Sequence, residues 1–227
     1  MNKSLMQYFS PEYLEFFKEL AGNNHKDWFD TNRKRYETVV REPFKIFIGD
    51  LIKNLAKDDP DLLIQPKDAI FRINRDIRFS KDKTPYKLNN SAIISSKGRK
   101  DKNHPGIYIE LGPEKLAFYG GIYMPDSKQV QKLRTYFDKH TSDLNSLIDT
   151  TDFKELFGEL KGEKSKRIPK EFKESAQKQP LLMNKQWYYF THQSPDIIIS
   201  DQLMKTVLDL EQKSRPIKEF LTNALYS

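Results

Sequence analysis

The chain contains no cysteine. That absence excludes disulfides, thiolate nucleophiles and cysteine-ligated zinc, and it suits a reducing cytoplasm. Histidine is scarce. His25, His104, His140 and His192 form no close pair and no H-E-x-x-H arrangement, so each reads as a surface or capping residue. No metal and no cofactor are expected. Neither a Walker loop nor a dinucleotide-binding glycine pattern occurs. Long apolar runs are missing too. The opening MNKSLMQYFSPEY lacks the apolar stretch of a signal peptide. No later segment approaches the roughly 20 apolar residues of a bilayer span. The expectation is a cytoplasmic protein without a membrane partner.

What is present argues for a folded core. Aromatic residues make up 12% of the 227 positions, more than a disordered chain carries. A chain of this length buries roughly 70% of its unfolded surface. One domain over residues 1–227 is expected, with helices in 1–58, an antiparallel sheet in 67–124 and helices again in 125–227.

The apolar spacing supplies the elements. Ser10-Pro11-Glu12 reads as a helix start, and Tyr13, Leu14, Phe16, Phe17 and Leu20 follow at helical period. A second helix begins near Asp27 and carries Trp28, Phe29 and Tyr36. Pro43 predicts a break or a fresh start, and Phe44, Phe47, Ile48, Leu51 and Leu55 continue as a third helix. AIFRIN, SAIISS, GIYIELG and LAFYGGIYM then read as short strands, with a tight turn at Gly112–Lys115. WYYFTH adds a candidate edge strand. Gly120-Gly121 reads as a bulge or close packing, or as room for a ligand. Residues 161–180 read as an exposed basic excursion. The end reads as a helix from Ser200 and another starting at Pro216. The fold class is α+β: an antiparallel β-meander of four to six strands packed against N-terminal and C-terminal helices.

Charge singles out one region. Residues 67–102 hold 11 Lys and Arg against 4 Asp and Glu, so the net charge of +7 resides there and the remainder is balanced. Within it lies FRINRDIRFSKDKTPYK, Phe71 to Lys87. Read as a strand, Phe71, Ile73, Arg75, Ile77 and Phe79 share the core-facing side, and Arg72, Asn74, Asp76 and Arg78 the other. A guanidinium on the core side needs a carboxylate or a bound anion. Ser80–Lys87 is loop chemistry with three lysines.

Arginine forks and lysine point charges suit phosphate. One reading is therefore an anion site for a phosphorylated small molecule or nucleic acid. Arg72, Arg75, Arg78, Lys81, Lys83 and Lys87 hold the anion. Tyr86 stacks or hydrogen-bonds, and Asp76 or Asp82 is the candidate general base if catalysis occurs. Tyr108, Tyr119 and Tyr123 are further aromatic candidates. Other readings are an interaction module for an acidic protein, or an internal salt-bridge web with Asp27, Asp30, Glu37 and Glu42 as partners, and function elsewhere.

RINRDIRFSKDKTPYK resembles the signature of the proteins grouped as Domain of Unknown Function 2461. ELAGNNHKDWFDTNRKRYE, GIYIEL, FYGGIYMP and RPIKEFL resemble that family's helical motif, central strands and closing helix, so the resemblance covers nearly the whole chain. One departure is Glu171 after Pro169-Lys170, where the resemblance implies glycine. The resemblance implies membership and brings no activity with it.

Overall fold

Tyr13, Phe16, Phe17 and Leu20 lie fully buried on one face of helix α1 (Glu12–Gly22) in the computed structural model, which describes residues 6–100 and 103–227. The i, i+3, i+4, i+7 spacing is what makes that face continuous. Pro11, not Ser10, occupies the cap position. Ser10 contributes only its backbone carbonyl, which accepts from Tyr13 N at 3.0 Å.

Helix α2 (Lys26–Thr31) follows, and a π-helical turn over Tyr36–Arg41 leads directly into α3 (Glu42–Leu55). Of the two outcomes expected at Pro43, the fresh start is the one found: α3 begins at Glu42 with no gap after the π turn. Glu42 N donates to Glu37 O, five residues back. The widened turn places Pro43 in the first turn of α3, where a missing N–H leaves no bond unmade. Four antiparallel strands, β1 (Asn90–Ile94), β2 (Gly106–Leu111), β3 (Leu116–Ile122) and β4 (Trp187–Gln193), hydrogen-bond in sequence order. The α+β class and the meander are as expected, and WYYFTH forms the edge strand. Gly112 N donates to Lys115 O at 3.2 Å, closing the expected turn.

The chain divides into two compact units. The first comprises Met1–Arg99, Tyr108–Phe118 and His192–Asp209. Its core gathers Phe9, Tyr13, Phe16, Phe17, Phe44, Phe47, Ile48, Ile109 and Leu111, all with almost no exposed surface. Tyr13 Oη donates to Leu111 O at 3.1 Å, so α1 is tied to β2 by a buried hydrogen bond.

The second unit comprises Lys100–Ile107, Tyr119–Thr191 and Leu210–Ser227. Asp126 caps α4 (Ser127–Lys139) reciprocally with Gln129, and α5 (Thr141–Ile148) and α6 (Thr151–Phe157) follow. A Cβ at Gly120 would overlap the Tyr189 hydroxyl, and one at Gly121, with φ of +109°, would overlap Trp187 O. The glycine pair therefore serves close packing, and the space is filled by Tyr189 and the β4 backbone. The basic excursion is tied down in part, by bridges Lys161↔Tyr188 and Lys164↔Asn184. Glu171 sits in a 3₁₀ turn, Lys170–Phe172, and no described non-glycine residue has positive φ, so this backbone does not require the missing glycine.

The last two expected helices are one, α7 (Leu203–Tyr226), with Pro216 inside it. The buried Glu211 carboxylate accepts from Arg215 at 2.8 Å and Lys218 at 3.3 Å, and so links the turns on either side of the proline.

Candidate functional site

The basic segment is a hairpin held by few backbone bonds, not the strand its alternation implies. Only isolated bridges form, Ile70↔Ala92 and Asn74↔Tyr86. Phe71 N donates to Ser91 O at 3.0 Å, Arg75 N to Pro85 O at 2.8 Å, and Lys87 N to Ile73 O at 2.9 Å. The alternation survives in burial nonetheless. Ile73 is buried and Phe71, Arg75 and Ile77 half-buried, while Arg72, Asn74, Asp76 and Arg78 are exposed. Phe79 breaks the pattern: expected on the core side, it is 95% exposed. Bends at Arg78 and Phe79 turn the chain before that ring can reach the core.

The two legs are held from outside the hairpin. Asn24 mimics a strand partner: its Nδ2 donates to Tyr86 O at 2.9 Å, and its Oδ1 accepts from Tyr86 N at 3.1 Å. The Tyr86 ring stacks on Phe29 with centroids 4.1 Å apart and is 6% exposed. Tyr86 thus anchors the return leg. Helix α2 supplies that anchor because His25 caps it, accepting from Trp28 N, and points Phe29 inward.

The hairpin's charges are paired largely within itself. Arg75 donates to Asp82 Oδ2 at 2.5 Å, to Thr84 O at 3.1 Å and to Thr84 Oγ1. Arg78 grips Asp76 with two hydrogen bonds, 2.9 and 2.7 Å. Lys83 Nζ donates to Ile77 O at 2.9 Å, and Lys87 Nζ lies 5.1 Å from the centre of the Phe71 ring. Arg72 and Lys81 have no ion-pair or hydrogen-bond partner among the described residues. The helical acids proposed as partners are engaged elsewhere: Asp30 with Arg33, Glu37 with Arg41 and Glu42 with Lys45. Asp27 lies in the first turn of α2.

Both hairpin carboxylates are strong acids. Asp76 falls from 3.8 to about 2, chiefly because Arg78 hydrogen-bonds its charged form. Asp82 falls to about 2, led by the Thr84 N–H and then the Arg75 guanidinium. Among the described residues, no three His, Asp or Glu side chains converge as a metal site requires.

A second set of ionisable groups on the sheet escaped sequence reasoning. Tyr108 and Glu110 alternate with the buried Ile107, Ile109 and Leu111 on β2, so both occupy its half-open face. Tyr108 Oη donates to Glu110 Oε1 at 2.6 Å. Lys115 Nζ lies 3.4 Å from His192 Nε2 on β4. Burial and the Lys115 charge lower the His192 pKa, and Glu110 opposes them. The i, i+2 spacing of Tyr108 and Glu110 was a readable signal; the meeting of residues 115 and 192 was not. Of the other tyrosines, Tyr119 packs on Phe190 at 5.4 Å, and Tyr123, 61% exposed, lies 5.8 Å from Tyr188.

Fold and site together define an α+β protein that presents a cationic hairpin beside strand β1 of a four-stranded meander. The family model described as "Conserved hypothetical protein (DUF2461)" matches residues 12–220, and the chain belongs to that family. No curated protein and no solved structure matches the chain.

Proposed function

We propose that the hairpin 71–87 binds single-stranded nucleic acid. The observation that carries this reading is Phe79, a large apolar ring left 95% exposed between Arg78 and Lys81. Exposing a phenylalanine forgoes roughly 1.5–3 kcal/mol of burial, and a base stacking on it recovers that cost. The Arg78 guanidinium lies 5.8 Å from the ring centre, so a stacked base would meet a cation at its edge. Arg72 and Lys81 supply unpaired charge for phosphates. Arg75, Arg78 and Lys83 are already paired, so they shape the loop. Asp76 and Asp82 act in this reading as orienters of Arg78 and Arg75, because a carboxylate with a pKa of about 2 is a poor proton acceptor near neutrality. A purely structural web explains those three pairs but gives Phe79 no role.

Fluorescence anisotropy with a labelled single-stranded oligonucleotide tests the proposal. Affinity should fall as salt rises. Phe79→Ala should weaken binding by roughly 1–3 kcal/mol at unchanged salt slope. Lys81→Ala should flatten the slope by about 0.7. Absence of binding at low salt, or affinity indifferent to both substitutions, would overturn the reading.

A further inference from the structure

The basic excursion lies outside the hairpin and belongs to the second unit. Residues 161–185 hold 8 Lys and Arg against 3 Asp and Glu. Two of those cations are matched: Lys161 meets Glu159 at 3.4 Å, and Lys185 meets Glu163 at 2.6 Å. Lys164, Lys166, Arg167, Lys170, Lys173 and Lys178 are exposed and have no ion-pair or hydrogen-bond partner among the described residues. They do not sit on loose chain. Lys161 N donates to Tyr188 O at 2.7 Å, Lys185 N to Glu163 O at 2.8 Å and Ser165 N to Met183 O at 2.7 Å, so the start of the segment runs fixed beside residues 183–188. Arg134 donates to Ser165 Oγ, and the buried Phe172 ring pins the chain farther on. Unmatched cations held together in this way repel one another, and an anionic partner relieves that repulsion.

Beside these cations, β3 and β4 carry rings on the side away from the core. Trp187 and Tyr189 point inward, against Phe137 of α4 at 5.4 Å and against Phe153 and Phe157 of α6 at 5.6 and 4.9 Å. Alternation sends Tyr188 and Phe190 the other way, and both are half-buried. Tyr119 lies against Phe190 with centroids 5.4 Å apart, and Tyr123, 61% exposed, meets Tyr188 edge-on at 5.8 Å. That geometry leaves at least one flat face of Tyr123 open to solvent. Lys161 shares this side: its Nζ lies 5.4 Å from the centre of the Phe190 ring.

We propose that the second unit binds single-stranded nucleic acid on this surface, independently of the hairpin reading. Lys164, Lys166 and Arg167 contact phosphates, and a base stacks on Tyr123. Rings and cations together select the occupant. An acidic protein would satisfy the cations and leave the rings unused. A membrane surface takes cations together with apolar side chains that reach into lipid, yet the excursion's Phe172 is buried and its Ile168 half-buried. Single-stranded nucleic acid uses both features at once, with phosphates along its backbone and bases free to stack on aromatic rings. A duplex keeps its base faces inside its own stack and offers mainly charge.

The test uses the full chain carrying Phe79→Ala and Lys81→Ala, which silences the hairpin, and a fluorescein-labelled single-stranded RNA of roughly 8 nucleotides. Anisotropy should still report binding, and that binding should weaken as salt rises. In this background Lys166→Ala with Arg167→Ala should flatten the salt slope by about 1.4, two phosphates at about 0.7 each. Tyr123→Ala should weaken binding roughly 5- to 100-fold at unchanged slope. All three side chains are exposed, so the melting temperature should hold. The same sequence as a duplex should bind less tightly. A duplex bound as tightly as the single strand, or Tyr123→Ala without effect, would reveal a surface that reads charge alone and would overturn the site. Attachment to vesicles of anionic phospholipid without binding of RNA would do the same. RNA bound by the unsubstituted chain but lost in the Phe79→Ala, Lys81→Ala background overturns this surface and leaves the hairpin reading standing. RNA bound equally with and without those two substitutions, and lost on Tyr123→Ala, overturns the hairpin reading and leaves this surface standing. RNA bound by neither form overturns both.

Discussion

Arg134 is 6% exposed, and no carboxylate pairs with it among the described residues. Its charge is met by dipoles. Nε donates to Leu182 O at 2.8 Å, and one terminal nitrogen donates to Ser165 Oγ at 2.8 Å and Asn184 O at 3.1 Å. Burial lowers its pKa, yet arginine remains charged at any physiological pH. The side chain joins α4 to the segments around residues 165 and 183. Arg134→Met should cost about 2–4 kcal/mol, because two buried carbonyls and a hydroxyl lose their donors. Thermal melting checks this, and an unchanged midpoint would show the arginine to be dispensable. The sequence placed Arg134 on a helix of known period, but nothing in it distinguished this arginine from a solvated one. Its acceptors lie 31 to 50 residues away.

At the scale of elements, the hairpin 71–87 shows where periodicity misleads. Alternating side chains describe a strand, but a strand needs a ladder, and here Asn24 and isolated bridges replace one. The loop depends on side-chain pairing, which gives it a pH dependence of definite sign. Asp76 and Asp82 have pKa values depressed from 3.8 to about 2. Their contribution to loop order is therefore complete above about pH 4 and is lost as pH falls through about 2. Amide protection at Arg78 and Thr84, whose N–H groups donate to these carboxylates, should hold from neutrality down to about pH 4 and disappear below it. Protection that fades between about pH 7 and 5 would contradict the assignment. Proline misled once: Pro216 reads as a helix start, yet it lies inside α7, where Glu211 links the turns around it. Pro43, by contrast, does mark the start of an α-helix.

At the scale of the whole molecule, neither unit is continuous in sequence. Each is assembled from three separate segments, and α7 begins in one and ends in the other. A unit built this way has no single cut that would release it intact. We propose that the chain unfolds as one cooperative domain. Differential scanning calorimetry should show a single transition with equal calorimetric and van't Hoff enthalpies. Two resolved transitions would assign each unit its own stability.

The sequence by itself determined the α+β class, the order of helices and strands, the buried stripe of α1, and the stretch in which the positive charge concentrates. Those properties are local: they follow from side-chain period, turn residues and composition over a few turns of chain. Only the tertiary structure decided which cations are already neutralised, that Phe79 faces water, and that Lys115 meets His192. Such pairings join residues brought together by folding, and their separation in sequence carries no trace of the distance between them in space.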